Sequence, residues 1–137
     1  MTAPSESCPF CRIVRGEAPA WVVHETPGAL AFLDAAPAAP YHALVVPKRH
    51  VADAFEAPPE AFAAVMGAAK QTADLYRRRL GLEAVELAVC SGAAAQQAVP
   101  HLHVHVVPRH AGDGLDTHWP RRPALHADPA ALLARLR

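Results

Sequence analysis

The segment Pro100-His-Leu-His-Val-His-Val-Val-Pro108 puts three imidazoles at alternate positions, separated by aliphatic residues and closed by a proline at each end. In an extended chain alternate side chains share a face. His101, His103 and His105 therefore fall on one side while Leu102, Val104 and Val106 pack inward. Alternate positions lie about 6.6 Å apart and the outer pair about 13 Å. Three donors that must each come within about 2 Å of one zinc ion cannot all be supplied by a straight strand, although a neighbouring pair could chelate. The spacing suits a reactive imidazole flanked by two supporting ones. Near neutral pH an uncharged ring attacks an electrophile, and a protonated neighbour stabilises developing charge. Phosphorus is a fitting electrophile, because a phosphoryl–imidazole bond is labile and passes readily to water. The loop before the run offers backbone amides for the same charge.

Cys8 and Cys11 form a second constellation, a C-x-x-C. The cysteine count is odd, and residues 1–6 are polar with no basic-then-apolar pattern of a secretory signal, so the pair reads as a metal or redox pair, not a disulfide framework. A thioredoxin-like role is disfavoured because no strand precedes the pair in a βαβ pattern. Gly-x-Gly-x-x-Gly and Walker-type loops are absent from the sequence, which excludes nucleotide recognition by those routes.

These groups need elements to hold them. Residues 8–14 read as a short helix after a polar tail; 22–25 and 29–34 read as strands around the Pro27-Gly28 turn. Residues 42–47 form another β-rich run. The clearest helix is 58–80, where Phe62, Val65, Met66, Ala69, Ala73, Tyr76 and Leu80 recur at three- and four-residue steps before Gly81. Its last turn, Arg77-Arg78-Arg79, reads as cations complementing a helix C-terminus. Residues 84–90 form a strand, 91–98 a loop and 101–107 the final strand. Asp128-Pro129 opens a short terminal helix as N-cap and first helical residue. Strands on either side of one long helix, joined by short turns, predict an α+β fold with a mainly antiparallel sheet of about five strands.

At 137 residues the chain fits a single domain over 1–137, with 1–7 a flexible tail and 110–137 a C-terminal extension. Although 52% of residues are hydrophobic, 31 are alanine, so the core falls to a smaller set of Val, Leu and Phe. Thirteen Lys and Arg balance thirteen Asp and Glu, which excludes a general nucleic-acid binder that must neutralise many phosphates. The apolar run 35–46 is short and carries Pro37, Pro40 and His42, so it does not span a membrane. A cytoplasmic location is expected.

The residues also carry a resemblance. His101-Leu-His103-Val-His105-Val-Val107 is similar to the signature of the histidine triad (HIT) family of nucleotide hydrolases and transferases. Cys8-Pro-Phe-Cys11-Arg-Ile-Val-Arg-Gly-Glu17 resembles the family's N-terminal segment. Ala31-Phe-Leu-Asp34, with Pro40-Tyr-His42-Ala-Leu-Val-Val-Pro47-Lys-Arg-His50, resembles its nucleotide-binding strands. Together these cover most of residues 8–109 in the family's order.

The resemblance implies a HIT-like fold and a homodimer. It also implies cleavage of nucleoside phosphoramidates, acyl-nucleotides or dinucleoside polyphosphates at the α-phosphorus through a nucleotidyl-histidine, with release of a nucleoside monophosphate. The partner would be a purine nucleotide, such as an adenosine phosphoramidate. On this chain His103 takes the nucleophile's position, His105 that of the phosphate contact, and His101 and His42 those of supporting histidines. Asp34 matches a carboxylate that accepts from the ribose hydroxyls. Phe10, Ile13 and Phe32 match base-pocket positions, and Gln97 matches a loop glutamine whose amides face the phosphate. Cys90 stands at a nucleotide-binding position where the family commonly has Asn or Gln, and Ala98 where it has a hydroxyl residue. Both are weak substitutes. They leave open a second reading, a nucleotide-binding module with weak catalysis. Relatives with the C-x-x-C imply a closed structural zinc site of Cys8, Cys11, His50 and His101; the alternative is reduced, metal-free thiols. His118-Trp119-Pro120 resembles a C-terminal segment of the phosphoramidase branch that reaches the partner's site, and a surface Trp-Pro turn fits it equally well.

Overall fold

The computed structural model describes residues 7–115 and 119–137, so most of the expected N-terminal tail and His118 lie outside the described residues. Five strands, β1 (Val22–Glu25), β2 (Ala29–Leu33), β3 (Ala43–Pro47), β4 (Ala84–Val89) and β5 (Val104–Arg109), form one antiparallel sheet in the order β1-β2-β3-β5-β4. A short helix α1 (Pro9–Val14) precedes the strands, the long helix α2 (Pro59–Leu80) connects β3 to β4, and α3 (Pro129–Ala134) lies in the C-terminal extension. This is the α+β architecture the pattern predicts. Among the described residues no helix is long and apolar enough to cross a membrane.

The sheet's central strands are covered on both faces, which explains why β2 and β3 read as unbroken apolar runs rather than alternating ones. Ala29, Ala31, Ala43, Val45, Val104 and Val106 join α2 in one core cluster. Leu30, Phe32, Leu44 and Val46 turn the other way and pack with α1 through Cys8, Phe10 and Cys11. The side facing α2 is rich in methyl-sized side chains, so the helix lies close; a Cβ added at Gly28 would already meet the Ala64 methyl at 3.5 Å.

Helix α2 begins with Pro59 inside its first turn, where the missing N–H costs nothing, and ends at Gly81, whose φ of +66° suits the left-handed cap. Its buried stripe is Val65, Ala68, Ala69, Thr72 and Tyr76. Leu80, included in the sequence stripe, is 43% exposed because the stripe rotates away from the sheet by the last turn.

The histidine strand starts later than expected, at Val104 rather than at residue 101. Pairing with β3 reaches Val45↔Val104 and stops. Two residues further along β3, Pro47 has no N–H to continue the ladder. Before Val104 the backbone bonds elsewhere: Leu102 N–H donates to Val51 carbonyl at 2.8 Å and His101 N–H to Val99 carbonyl at 2.8 Å. At the far end β5 runs on through Pro108, whose missing donor is tolerated where β3 no longer pairs. Arg109 then ties β4 to the following loop, donating to Glu86, to both Asp113 carboxylate oxygens and to Leu115 carbonyl. That guanidinium holds the Asp113 carboxyl well below the usual carboxylate range.

Leu102 is 1% exposed and packs in the α2 cluster. Leu102→Ala should therefore destabilise the protein by about 2–5 kcal/mol through lost burial and a residual cavity. The urea unfolding midpoint measures this, and an unchanged midpoint would contradict the packing described.

Candidate active site

Register across the sheet aims the histidines. Phe32 pairs with Leu44, Leu44 with His105, and His105 with Ala88, so these side chains form a row on the face opposite α2. His103, two residues before His105, shares that face, with ring centroids 5.1 Å apart. Phe10 of α1 reaches over the row and packs edge-on against Phe32 at 5.6 Å, His101 at 5.8 Å and His103 at 5.3 Å.

The ring tautomers follow from partners that can play only one role. His103 Nδ1 lies 2.7 Å from the carbonyl oxygen of His101, which only accepts, so Nδ1–H donates and Nε2 is left as the free lone pair. Ala38 N–H donates to His42 Nδ1 at 3.0 Å, so the neutral His42 ring carries its proton on Nε2. That Nε2–H donates to His105 Nδ1 at 2.9 Å, which places the His105 proton on Nε2. Asp34 Oδ2 stands 3.5 Å from His42 Nε2, while Oδ1 accepts from Ala36 N–H at 2.9 Å. The result is a relay ending in an N–H donor on His105, beside the His103 ring whose Nε2 carries the lone pair.

His103 and His105 line an open cavity of about 1040 Å³ together with Phe10, Ile13, Phe32 and Asp34. Six residues expected to bind or act on a ligand thus meet in one cavity. His42 supports it from behind, through His105. Three expectations change. Gln97 does not face the cavity: its amide nitrogen donates to Ala52 carbonyl at 2.7 Å and Val99 carbonyl at 3.0 Å, and its oxygen accepts from Gly92 N–H at 2.8 Å. The side chain staples the loop, and its neighbour Gln96, held at φ +70°, lines the cavity instead. Cys90 is half-buried at the end of β4 and is not among the lining residues. His101 is fully buried away from the cavity and contributes its carbonyl rather than its ring. Sequence reasoning missed Gln96 and Trp21, which also lines the cavity. Trp21 was legible only as a large aromatic ahead of a strand, with no spacing to single it out.

The His101 ring belongs to a second cluster. Cys8, Cys11, His50 and His101 are all buried, and their ligand atoms lie within 4.8 Å of one another. Cys11 Sγ is 3.1 Å from His50 Nδ1 and 3.5 Å from His101 Nδ1. Cys8 Sγ is 3.4 Å from His101 Nδ1, and the two Nδ1 atoms are 3.1 Å apart. Ligands about 2.0–2.3 Å from a tetrahedral zinc stand roughly 3.3–3.8 Å from each other, so the spacing fits that ion. The tautomer fits too. His101 Nε2–H donates to Pro47 carbonyl at 3.0 Å, leaving Nδ1 bare toward the cluster, as outer-shell bonds of metal-bound histidines do. Burial pushes the His101 ring down to about 4, so it is neutral at physiological pH.

Fold and site together define a protein of the histidine triad type, and comparison with known proteins agrees. The sequence matches the HIT domain family over residues 15–112, and the chain belongs to that family. An uncharacterized HIT-like protein of Mycobacterium tuberculosis is 43% identical over 108 residues, 79% of this chain and 75% of the relative. The adenosine 5'-monophosphoramidase of Schizosaccharomyces pombe is 37% identical over 118 residues, 85% of this chain and 86% of its own. Among solved structures, a Zn-bound histidine triad family protein from Mycobacterium smegmatis superimposes with a TM-score of 0.76 at 39% identity, covering 95% of both chains.

Burial, then His103 and then His42, lower the His105 pKa from its ordinary 6.5, against a smaller opposing pull from Asp34. The ring is therefore neutral at pH 7. Because the unfolded chain takes up this proton more readily, the ring's contribution to stability is complete above about pH 6.5 and is lost on acidification. An NMR titration of the ring should give a midpoint below 6.5; a midpoint above 7 would contradict the environment described.

Proposed function

We propose that the protein hydrolyses a nucleoside phosphate derivative at its α-phosphorus, with His103 as nucleophile. The supporting observation is the bond from His103 Nδ1 to the His101 carbonyl, which fixes the tautomer that presents Nε2. In this reading Nε2 forms a bond to phosphorus as the bond to the leaving group breaks. Water then displaces the histidine and releases the nucleoside monophosphate. His105, through its Nε2–H, stabilises a phosphate oxygen, and His42 holds that proton in place. Asp34 accepts from the ribose, and Phe10, Ile13 and Phe32 flank the base. Purine phosphoramidates, acyl-nucleotides and dinucleoside polyphosphates remain the substrate classes. The phosphoramidase activity named for the fission-yeast relative favours the first of them.

Cys8, Cys11, His50 and His101 would hold zinc, and no ligand position would remain for water, so the ion would be structural. When bound it ties α1 to the segment that leads into β5. The homodimer is part of the same reading, supported by Val85 and Leu87, which are exposed on the free edge of β4. Reduced thiols suited to a metal fit a reducing compartment, the cytoplasm. Ala98, which lines the cavity with a methyl group, favours the second reading, a binding module with weak catalysis.

His103→Ala should lower kcat by more than about a thousandfold while AMP still binds. A labelled nucleotidyl-protein should form in wild type and be absent from the variant. Turnover close to wild type in His103→Ala would end the proposed mechanism, and absence of any adduct in wild type would favour the binding module. For the metal, about one equivalent of zinc should co-purify under reducing conditions, falling below about a tenth in Cys11→Ser. Elemental analysis checks both values.

A further inference from the structure

Trp21 is the largest side chain bordering the cavity, and 79% of its surface is exposed. An indole left so open beside an apolar pocket gains little from folding, since it buries almost nothing. It is not packed in the cluster beneath it, which takes in Phe10, Phe32 and the neighbouring Ala20. Nor is its placement a matter of a loose loop. Trp21 carbonyl accepts from Leu33 N–H at 2.9 Å, which pins residue 21 across from the end of β2, one residue before Asp34. Trp21 and Asp34, the carboxylate assigned to the ribose, thus both border the cavity at this end of β2. It faces the same cavity as Phe10, Ile13 and Phe32, which supply the buried wall. At about 1040 Å³ the cavity has the volume to hold a purine ring.

We propose that Trp21 is the outer wall of the base site, stacking on the face of a purine whose other side rests against Phe10, Ile13 and Phe32. This rests on the nucleotide reading above and adds a residue to it. Stacking contributes in proportion to ring area and needs no hydrogen-bond code, so Trp21 favours purine over pyrimidine without selecting between adenine and guanine. It touches neither the phosphate nor the histidine relay, and acts on affinity.

The chain has two tryptophans, so Trp119→Phe leaves Trp21 as the single indole reporter. In that background, AMP should quench or shift the emission, with a midpoint equal to the Kd from equilibrium dialysis of labelled AMP. In dialysis, Trp21→Ala should weaken AMP about tenfold, Trp21→Phe should restore most of the loss, and UMP should be weakened less than AMP. Silent emission together with an AMP Kd unchanged in Trp21→Ala would overturn the role of Trp21 and leave the nucleotide reading intact. Failure of wild type to retain AMP in dialysis would overturn the nucleotide reading, and this inference with it.

Discussion

The hydrogen bond from His103 Nδ1 to the His101 carbonyl is short, buried and internal to one three-residue stretch, and the site on either side of it depends on its direction. A histidine ring has two nitrogens and one proton when neutral, so a reactive nitrogen exists only where the other is committed. Here the committing partner is a backbone oxygen, which cannot change role with pH. That oxygen belongs to a residue whose own ring is held by Pro47 carbonyl on one side and faces two thiols and His50 on the other. Orientation of the His103 ring is thus inherited from the buried cluster through a single peptide unit.

Helix α1 makes the same connection through packing. It is only six residues long, yet Cys8 at its N-cap and Cys11 within it belong to the thiol–imidazole cluster, while Phe10 and Ile13 line the cavity. A helix this short is not stable by propensity alone and takes its place from the contacts it makes. The cluster and the cavity therefore share one wall, and whatever orders the thiols also orders the aromatic ring that packs against His103.

Much of this was legible in the sequence where chemistry and periodicity coincide. The alternation of His with Leu and Val announced a two-faced strand, and Leu102, Val104 and Val106 do turn inward. The long helix, its proline start and its glycine stop were readable because each has a local physical cause. What escaped was set by long-range pairing. The onset of β5 depends on Pro47 in another strand, which no local pattern in residues 100–108 reveals. Gln97 was expected at the phosphate because the resemblance matches it to a loop glutamine of the family, and only the path of the loop shows that three backbone partners engage it. Trp21 sits in no motif, and its place at the cavity comes from crossing the sheet edge opposite Leu33.

Pro47 ends the pairing between β3 and β5, and the carbonyl left over at that point is the one that fixes the His101 ring. Strand termination and orientation of the His101 ring are therefore a single event, located at one residue. Sliding β3 against β5 would carry that carbonyl away from the imidazole even if every histidine were kept. Register, as well as histidine count, therefore decides whether the ring and the carbonyl meet.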